Sequence, residues 1–554
     1  MSIFAGVICL NNPTLKRIIT DEVRTNFKDE CGTKDIFQHS EDSIFFTSYA
    51  LFESNIRSSK KSTDIINGNP LFENDFADKS CLEQRLFETL RSARGVFSGL
   101  IYDKSNDKTS IFTDKMGIRP VYYYHGNGVF IFSSLLSVIQ KISVIDKSLD
   151  SLGIIEMLAF GYCLSNRTQF ENIKRLDGAE ILHFEKDEIS SQYYWDWKNI
   201  PINEKVTVQD INDLYDCFDD AIQLRLDNSE EAISFLSGGL DSRVIASKVK
   251  QYVKKLHTFN FSTSRSQDNE YARLFAESAK LNHNEKTFET LAFPNWTQLI
   301  ADCVQEPNYG ISNNVDKSNI WSGDGGSVAV GHVYITQDIL NALKNDDFTL
   351  AAKIFQTHTQ TFVPEKFLTN NFNKTANLKL TESIIREMAP NQNDSGKAIY
   401  YFLMNNDQKR HLHIHFETMG QHKTELHLPF FDSVFLEKIH KIHSRDMLNH
   451  KLYMQWFQNF HPSSRTTPWQ TYPGHEPCPI KVENNLTYQW TKAKNKKWHL
   501  TEILEIFQLL RNKKVFNFFD KKKVYAAFIL HTLKLKNYSY LFGKIAFLGK
   551  VLKE

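Results

Sequence analysis

The chain has 554 residues, 41% hydrophobic and 24% charged, which is the composition of a folded globular protein with material for more than one core. Its 66 Lys and Arg nearly cancel its 65 Asp and Glu, so no whole-chain field recruits nucleic acid or an acidic partner. No uncharged apolar stretch reaches spanning length, the seven cysteines lack a C-x-x-C pair, and the opening MSIFAGVICL has no basic start of a secretory signal. A cytoplasmic setting without zinc or disulfides is expected.

The first 200 residues read as strands joined by turns. Runs at 42–52, 93–103, 109–114, 119–134 and 179–195 are β-branched and aromatic. His125-Gly126-Asn127-Gly128 marks a hairpin turn. One helix is predicted there, over 80–92, where apolar residues recur at helical spacing. Residues 196–208 read as a linker. Beyond it the pattern alternates: helix 208–226, strand 231–236, helix 242–255, strand 256–262, helix near 269–281, strand 286–289. Strands alternating with helices predict a parallel sheet covered on both faces. Residues 330–460 read as mostly helical. The last segment, 492–554, carries 15 Lys and Arg against 4 Asp and Glu. It reads as a solvated helical extension; an anionic membrane surface or nucleic acid is the alternative use of such charge, and its end GKIAFLGKVLKE could dock a partner.

The chemistry concentrates at Ser237-Gly238-Gly239-Leu240-Asp241-Ser242, between a predicted strand and a predicted helix. Two glycines allow a tight turn that exposes N–H groups toward a ligand. The following helix presents its positive end there. Ser237 and Ser242 add hydroxyls. A carboxylate such as Asp241 has no reason to face phosphate unless a Mg²⁺ ion lies between them. A plain Gly-Gly turn would explain three of these residues but not all six in this context. The unit therefore reads as a pyrophosphate-and-metal cradle at the carboxyl end of a parallel strand.

This loop resembles the pyrophosphate loop of the asparagine synthetase family. Thr113-Asp114-Lys115-Met116-Gly117-Ile118-Arg119-Pro120-Val121-Tyr122-Tyr123 is similar to the family's R-D-x-x-G-x-R-P-L-Y-Y, Val129–Val138 to its F-x-F-A-S-E-L-K, and Glu425–Asp432 (ELHLPFFD) to its E-x-R-x-P-F-L-D. The resemblance implies an α+β N-terminal-nucleophile glutaminase-like domain at 1–200 and an α/β parallel-sheet ATP-pyrophosphatase domain at 205–490, followed by the basic helical segment 491–554. It further implies ATP and Mg²⁺, a carboxylate substrate turned into an acyl-adenylate, and attack by ammonia or an amine. Ser237, Gly238, Gly239, Asp241 and Ser242 would bind pyrophosphate, with Asp241 on the metal. Leu236 and Phe261 would meet adenosine. Trp321–Ser327 (WSGDGGS) looks like the family's S-G-E-G-A-D-E, which brings Ser322 and Gly323 to ATP and Asp324 to the family's Glu; the family's metal-binding Asp falls on Ser327. No nucleic acid is expected as partner, and a homodimer is left open.

The sequence also departs from the family. The glutaminase nucleophile is a cysteine at position 2, and here that position is Ser2, a weaker nucleophile because a hydroxyl ionises far less than a thiol. Asn67 and Gly68 resemble the oxyanion-hole N-G-E, although Asn-Gly is also a common hairpin turn. For the family's late lysine, Lys481 is the nearest candidate. His411, His413 and His415 alternate like a metal-binding strand face, but on the helix that the family has there they would not converge, so they read as a solvated or core-edge cluster. An impaired glutaminase half and a divergent substrate follow. β-Lactam synthetases, lasso-peptide cyclases and a sugar-acid amidotransferase are the alternative activities, and a silent nucleotide-binding scaffold is the non-enzymatic one.

Overall fold

In the first third of the chain, strands build two antiparallel sheets whose central strands are buried and whose edge strand Glu188–Tyr193 is exposed throughout. The computed structural model describes residues 2–31, 36–41, 43–50, 56–72, 86–226, 230–263, 265–288, 296–312, 319–373, 375–388, 394–422, 424–472, 474–480, 485–487 and 496–552. The strands are β1 (Ser2–Cys9), β2 (Ile36–Ser40), β3 (Ile44–Ala50), β4 (Ile56–Ser58), β5 (Ser62–Gly68), β6 (Phe97–Asp103), β7 (Lys108–Thr113), β8 (Tyr122–Gly126), β9 (Val129–Ser133), β10 (Ile173–Arg175), β11 (Glu180–Glu185) and β12 (Glu188–Tyr193). One sheet has the order β10-β8-β9-β1-β3-β2 and the other β12-β11-β7-β6-β5-β4. Period-two alternation in β1 divides its side chains. Phe4 and Ile8 pack between the sheets with Ile65, Leu100 and Leu182. Ile3, Ala5 and Val7 pack outward with Ile19, Val23 and Phe27 of the helix Pro13–Cys31. Leu90, from the helix Leu86–Ser92, covers Phe97, Ile101 and Phe112 on the far face of the second sheet. The layers are therefore helix, sheet, sheet, helix.

The predicted hairpin is present. Asn127 (φ 55°) and Gly128 (φ 70°) form the two-residue turn between β8 and β9, the backbone that matches strand twist. Of the helix predicted at 80–92, Leu86–Ser92 is helical and 80–85 lie outside the described residues. Three further helices among the described residues correct the reading of this region as strands with one helix: the short Leu136–Gln140 and two longer ones. Pro13–Cys31 buries Ile19, Val23 and Phe27, four residues apart. Ser151–Phe160 is apolar almost all round, so it carries no period to read; Asp150 caps its start and Gly161 (φ 87°) ends it.

The second half forms a parallel sheet from β13 (Glu231–Phe235), β14 (Lys255–Thr263), β15 (Asn282–Phe288), β16 (Asn319–Trp321) and β17 (Glu425–His427), ordered β15-β14-β13-β16-β17. The chain runs outward from β13 to β15 and returns to β16 on β13's other side. That reversal opens a crevice beyond the carboxyl ends of β13 and β16.

Two further expectations are corrected. The 196–208 stretch is no free spacer: Trp197 is buried, stacks on His440, and its indole N–H donates to Lys115 O at 2.9 Å. The basic C-terminal segment is not a detached extension. Leu510, Val515, Phe519, Val524, Ile545 and Leu548 belong to the same apolar core as the parallel sheet, and Lys544 Nζ donates to Ala159 O at 2.8 Å. The described part of this segment thus packs on the rest of the chain.

The two halves meet through the very motifs that carried the resemblance. Arg119 pairs with Glu425, and its guanidinium lies over Phe416. Asp432, fully buried, accepts from Arg94 and Arg225. Tyr122 Oη donates to Glu417 at 2.5 Å.

Candidate active site

Two loops meet at the crevice. One follows β13 and runs from Leu236 into the helix Leu240–Tyr252; the other follows β16 and runs from Ser322 to Ser327. They approach backbone to backbone, which requires glycine. A Cβ on Gly323 would lie 2.6 Å from Ser242 N; Gly238 is held as tightly against the start of the helix Gln267–Ser278, where a Cβ would lie 2.6 Å from Gln267 O.

The first loop is internally braced. Ser237 N–H donates to Ser242 Oγ at 2.8 Å and Gly239 N–H to Ser237 Oγ at 3.2 Å. Gly238 N–H donates to Asp268 Oδ1 at 3.0 Å. The turn was expected to leave these N–H groups open to a ligand; instead each has an acceptor inside the fold, because a buried donor without one would cost free energy. Asn260 supports the same loop by donating to Leu236 O at 2.8 Å.

Asp241 begins the helix and reaches across to the second loop. Its Oδ2 accepts from Ser327 N–H at 3.0 Å and Ser327 Oγ at 2.7 Å. Its Oδ1 is buried and has no hydrogen-bond partner among the described residues; the Tyr453 hydroxyl faces the carboxylate without a well-formed hydrogen bond. Burial pushes the Asp241 carboxyl up to about 6, against the pull of Ser327 and Tyr453, and the charge of Asp324 adds to the rise. Asp324 itself accepts from Ser322 Oγ at 2.5 Å.

The crevice holds a cavity of about 340 Å³. Leu236, Ser237, Asp241, Ser242, Phe261, Ser322, Gly323 and Asp324, all singled out from the sequence, line it. Gly239 lines an adjoining cavity of about 500 Å³, which also reaches Asp241 and Ser327, whereas Gly238 lines neither and serves as packing. Side chains that sequence reasoning did not find complete the walls: Trp296, Tyr334, Gln408, Tyr472 and Asp268. Gln408 sits on a π-type turn, Leu403–Gln408, a distortion that often marks functional positions. Only the capping Ser266 ahead of Asp268 offered a local signal.

The other predicted residues lie elsewhere. Ser2 opens β1 opposite Ala50, and its side chain lies outside the described residues, as does Lys481. Asn67 and Gly68 do not form a hairpin; they end β5, opposite Ser98 and Phe97. The Asn67 carboxamide is buried, accepts from Arg119 Nη1 at 3.0 Å and donates to Ser98 Oγ at 3.4 Å. His411, His413 and His415 fall on the helix Lys409–His422, not on a strand. His413 bonds Arg175 and Gly117 O, His415 bonds Thr297, and the His411 side chain is outside the described residues. Among the described residues no three His, Cys, Asp or Glu side chains group to hold a metal.

The family profile described as asparagine synthase matches residues 213–452, across both loops and β13 to β17, and that of a glutamine amidotransferase domain matches residues 81–195. The chain belongs to the asparagine synthetase family. A glutamine-hydrolysing asparagine synthetase-type protein of Methanocaldococcus jannaschii is 29% identical over 280 residues, 47% of this chain and 53% of that protein. Asparagine synthetase 3 of Bacillus subtilis is 27% identical over 174 residues, covering 30% and 28%, and asparagine synthetase 1 of the same organism 23% over 297 residues, covering 50% and 46%. The matched stretch spans about half the length of these relatives or less. In this asparagine synthetase-family chain, the glutaminase-like layers and the parallel sheet account for the two matched regions in their order. No helix among the described residues is long and apolar enough to cross a membrane.

Proposed function

We propose that this chain is an ATP-dependent amide-forming ligase that adenylates a carboxylate at the crevice between β13 and β16. One observation carries the reading: the two glycine loops converge on a cavity lined by Asp241, whose buried carboxylate keeps one oxygen without a hydrogen-bond partner among the described residues. An unpaired oxygen there suits a hard cation that takes one or two carboxylates and completes its shell with phosphate and water. Asp241 and Asp324 would hold Mg²⁺, which neutralises phosphate charge when bound. Ser327, where the family has a carboxylate, donates to Asp241 instead and keeps that side chain aimed.

The substrate carboxylate oxygen attacks the α-phosphorus of ATP, the bond to the bridging β-oxygen breaks, and pyrophosphate leaves. A nitrogen then attacks the acyl carbon, the bond to AMP breaks, and the nitrogen gives up a proton. The chain supplies placement and charge compensation. Leu236 and Phe261 border the nucleoside. Ser237 and Ser242 hydroxyls exchange their mutual hydrogen bond for phosphate oxygens at the helix N-terminus. Ser2 supports a glutaminase half that is impaired, with the nitrogen taken from ammonia or an amine. The adjoining cavity of about 500 Å³ favours a second reading, in which the acceptor amine belongs to a larger substrate, as in a cyclase or a sugar-acid amidotransferase.

The test is ATP–pyrophosphate exchange with a panel of carboxylates. Carboxylate-dependent exchange is expected; no exchange with any acid together with no ATP binding would overturn the proposal.

A further inference from the structure

The helix Lys521–Thr532 buries Val524, Ala527 and His531, three and four residues apart. The stripe opposite runs through Lys522, Ala526, Ile529 and Leu533 at the same spacing, with Ile529 56% and Leu533 62% exposed. The helix closes with Lys534 in the left-handed region (φ 59°), while the N–H groups of Leu535 and Lys536 return to Leu530 O at 2.9 and 3.3 Å. Such a closing turn commonly folds an apolar side chain back onto the helix. Here Leu535 stays 71% exposed.

Three large aliphatic side chains therefore stand out along this helix and its closing turn. Lysine dominates the sequence around them, with Asp520, which caps the helix and lies 3.9 Å from Lys523, as the acid at its start. From 521 to 553 the sequence has eight lysines and no Asp or Glu, and Lys521, Lys522, Lys523, Lys534 and Lys536 are exposed. Self-association through this face would set lysines against lysines across a two-fold axis. Nucleic acid would use the charge but gains nothing from isoleucine and leucine, since its bases stack on aromatic rings. An anionic bilayer uses both: lysines meet its phosphate headgroups, and aliphatic side chains enter the acyl boundary.

We propose that the helix Lys521–Thr532 and its closing turn dock this chain on anionic lipid bilayers, with Ile529, Leu533 and Leu535 inserted and the flanking lysines at the headgroups. The test is co-sedimentation of the full chain with vesicles of phosphatidylcholine alone or mixed with phosphatidylserine. Binding to the mixed vesicles should exceed binding to the neutral ones by about tenfold or more and should weaken as salt is raised. The double variant Ile529→Asp, Leu533→Asp should lose most of that binding, as should Lys522→Glu with Lys534→Glu. Both should keep the parent's thermal midpoint and nucleotide exchange, because the altered side chains are exposed and far in sequence from the crevice loops. Equal binding to both vesicles would overturn the proposal. So would anionic binding that survives the aspartate variant, or an exposed apolar face shown by ultracentrifugation to join two copies.

Discussion

Asp432→Ala probes the joint between the two halves. The carboxylate is fully buried, accepts from Arg94 Nε at 2.9 Å and Arg225 Nη1 at 3.0 Å, and forms an ion pair with Arg94 Nη2 at 2.8 Å. It also caps the helix Ser433–His440 by accepting from Val434 N–H at 3.1 Å. Alanine would leave two buried guanidiniums without their counter-charge, a loss of about 3–5 kcal/mol for a broken buried pair, and would remove a cap that contributes about 1 kcal/mol. The expected destabilisation is about 4–6 kcal/mol, read from urea unfolding of the full chain. Glu230→Ala, which breaks an ion pair with Lys254 whose partners are 67% and 75% exposed, should cost less than about 0.5 kcal/mol. Burial opposes ionisation of Asp432, but Arg225 and Arg94 outweigh it and hold the carboxyl below its usual value. Its contribution is therefore fully present above the unfolded carboxyl value of about 3.9 and is lost as pH falls through the still lower folded value. The parent should lose more stability than Asp432→Ala over that acid window. An Asp432→Ala variant within about 1 kcal/mol of the parent at neutral pH would refute the reasoning.

Asp241→Asn should abolish ATP–pyrophosphate exchange while leaving the thermal midpoint at pH 8 unchanged or higher, because burial raises this carboxyl to about 6 and its ionised form burdens the fold above that pH; for the same reason the parent's exchange should fall as pH drops through 6. Ser327→Ala removes the donors' hydroxyl from Asp241 and should move that acid limb to higher pH, whereas Ser327→Asp should lower the Mg²⁺ concentration giving half-maximal exchange. Gly326→Ala would place a methyl group 2.5 Å from Asp241 Oδ1, so exchange should drop at least tenfold with the fold retained by circular dichroism. Ser2→Ala should leave ammonia-supported turnover unchanged; strong glutamine hydrolysis in the parent that disappears in this variant would reverse the reading of an impaired glutaminase half.

Much of the site was legible because its chemistry is local. The loop from Leu236 to Ser242 sits within one strand–turn–helix unit, and that unit's residue types and period can be read within a dozen positions. The Asn127-Gly128 hairpin and the alternation after residue 208 were legible on the same ground. The helix Ser151–Phe160 was not, since a segment buried on every side has no polar face to set its period. Nor was the three-residue β17, which is too short to show one. What Asp241 touches is decided by a partner 86 positions away at Ser327, and Arg94 meets Asp432 across 338. No local pattern encodes those meetings. They arise because the sheet reverses direction beside β13, which brings two strand ends together, and because a buried charge in the seam is stable only where the other half supplies its counter-charge.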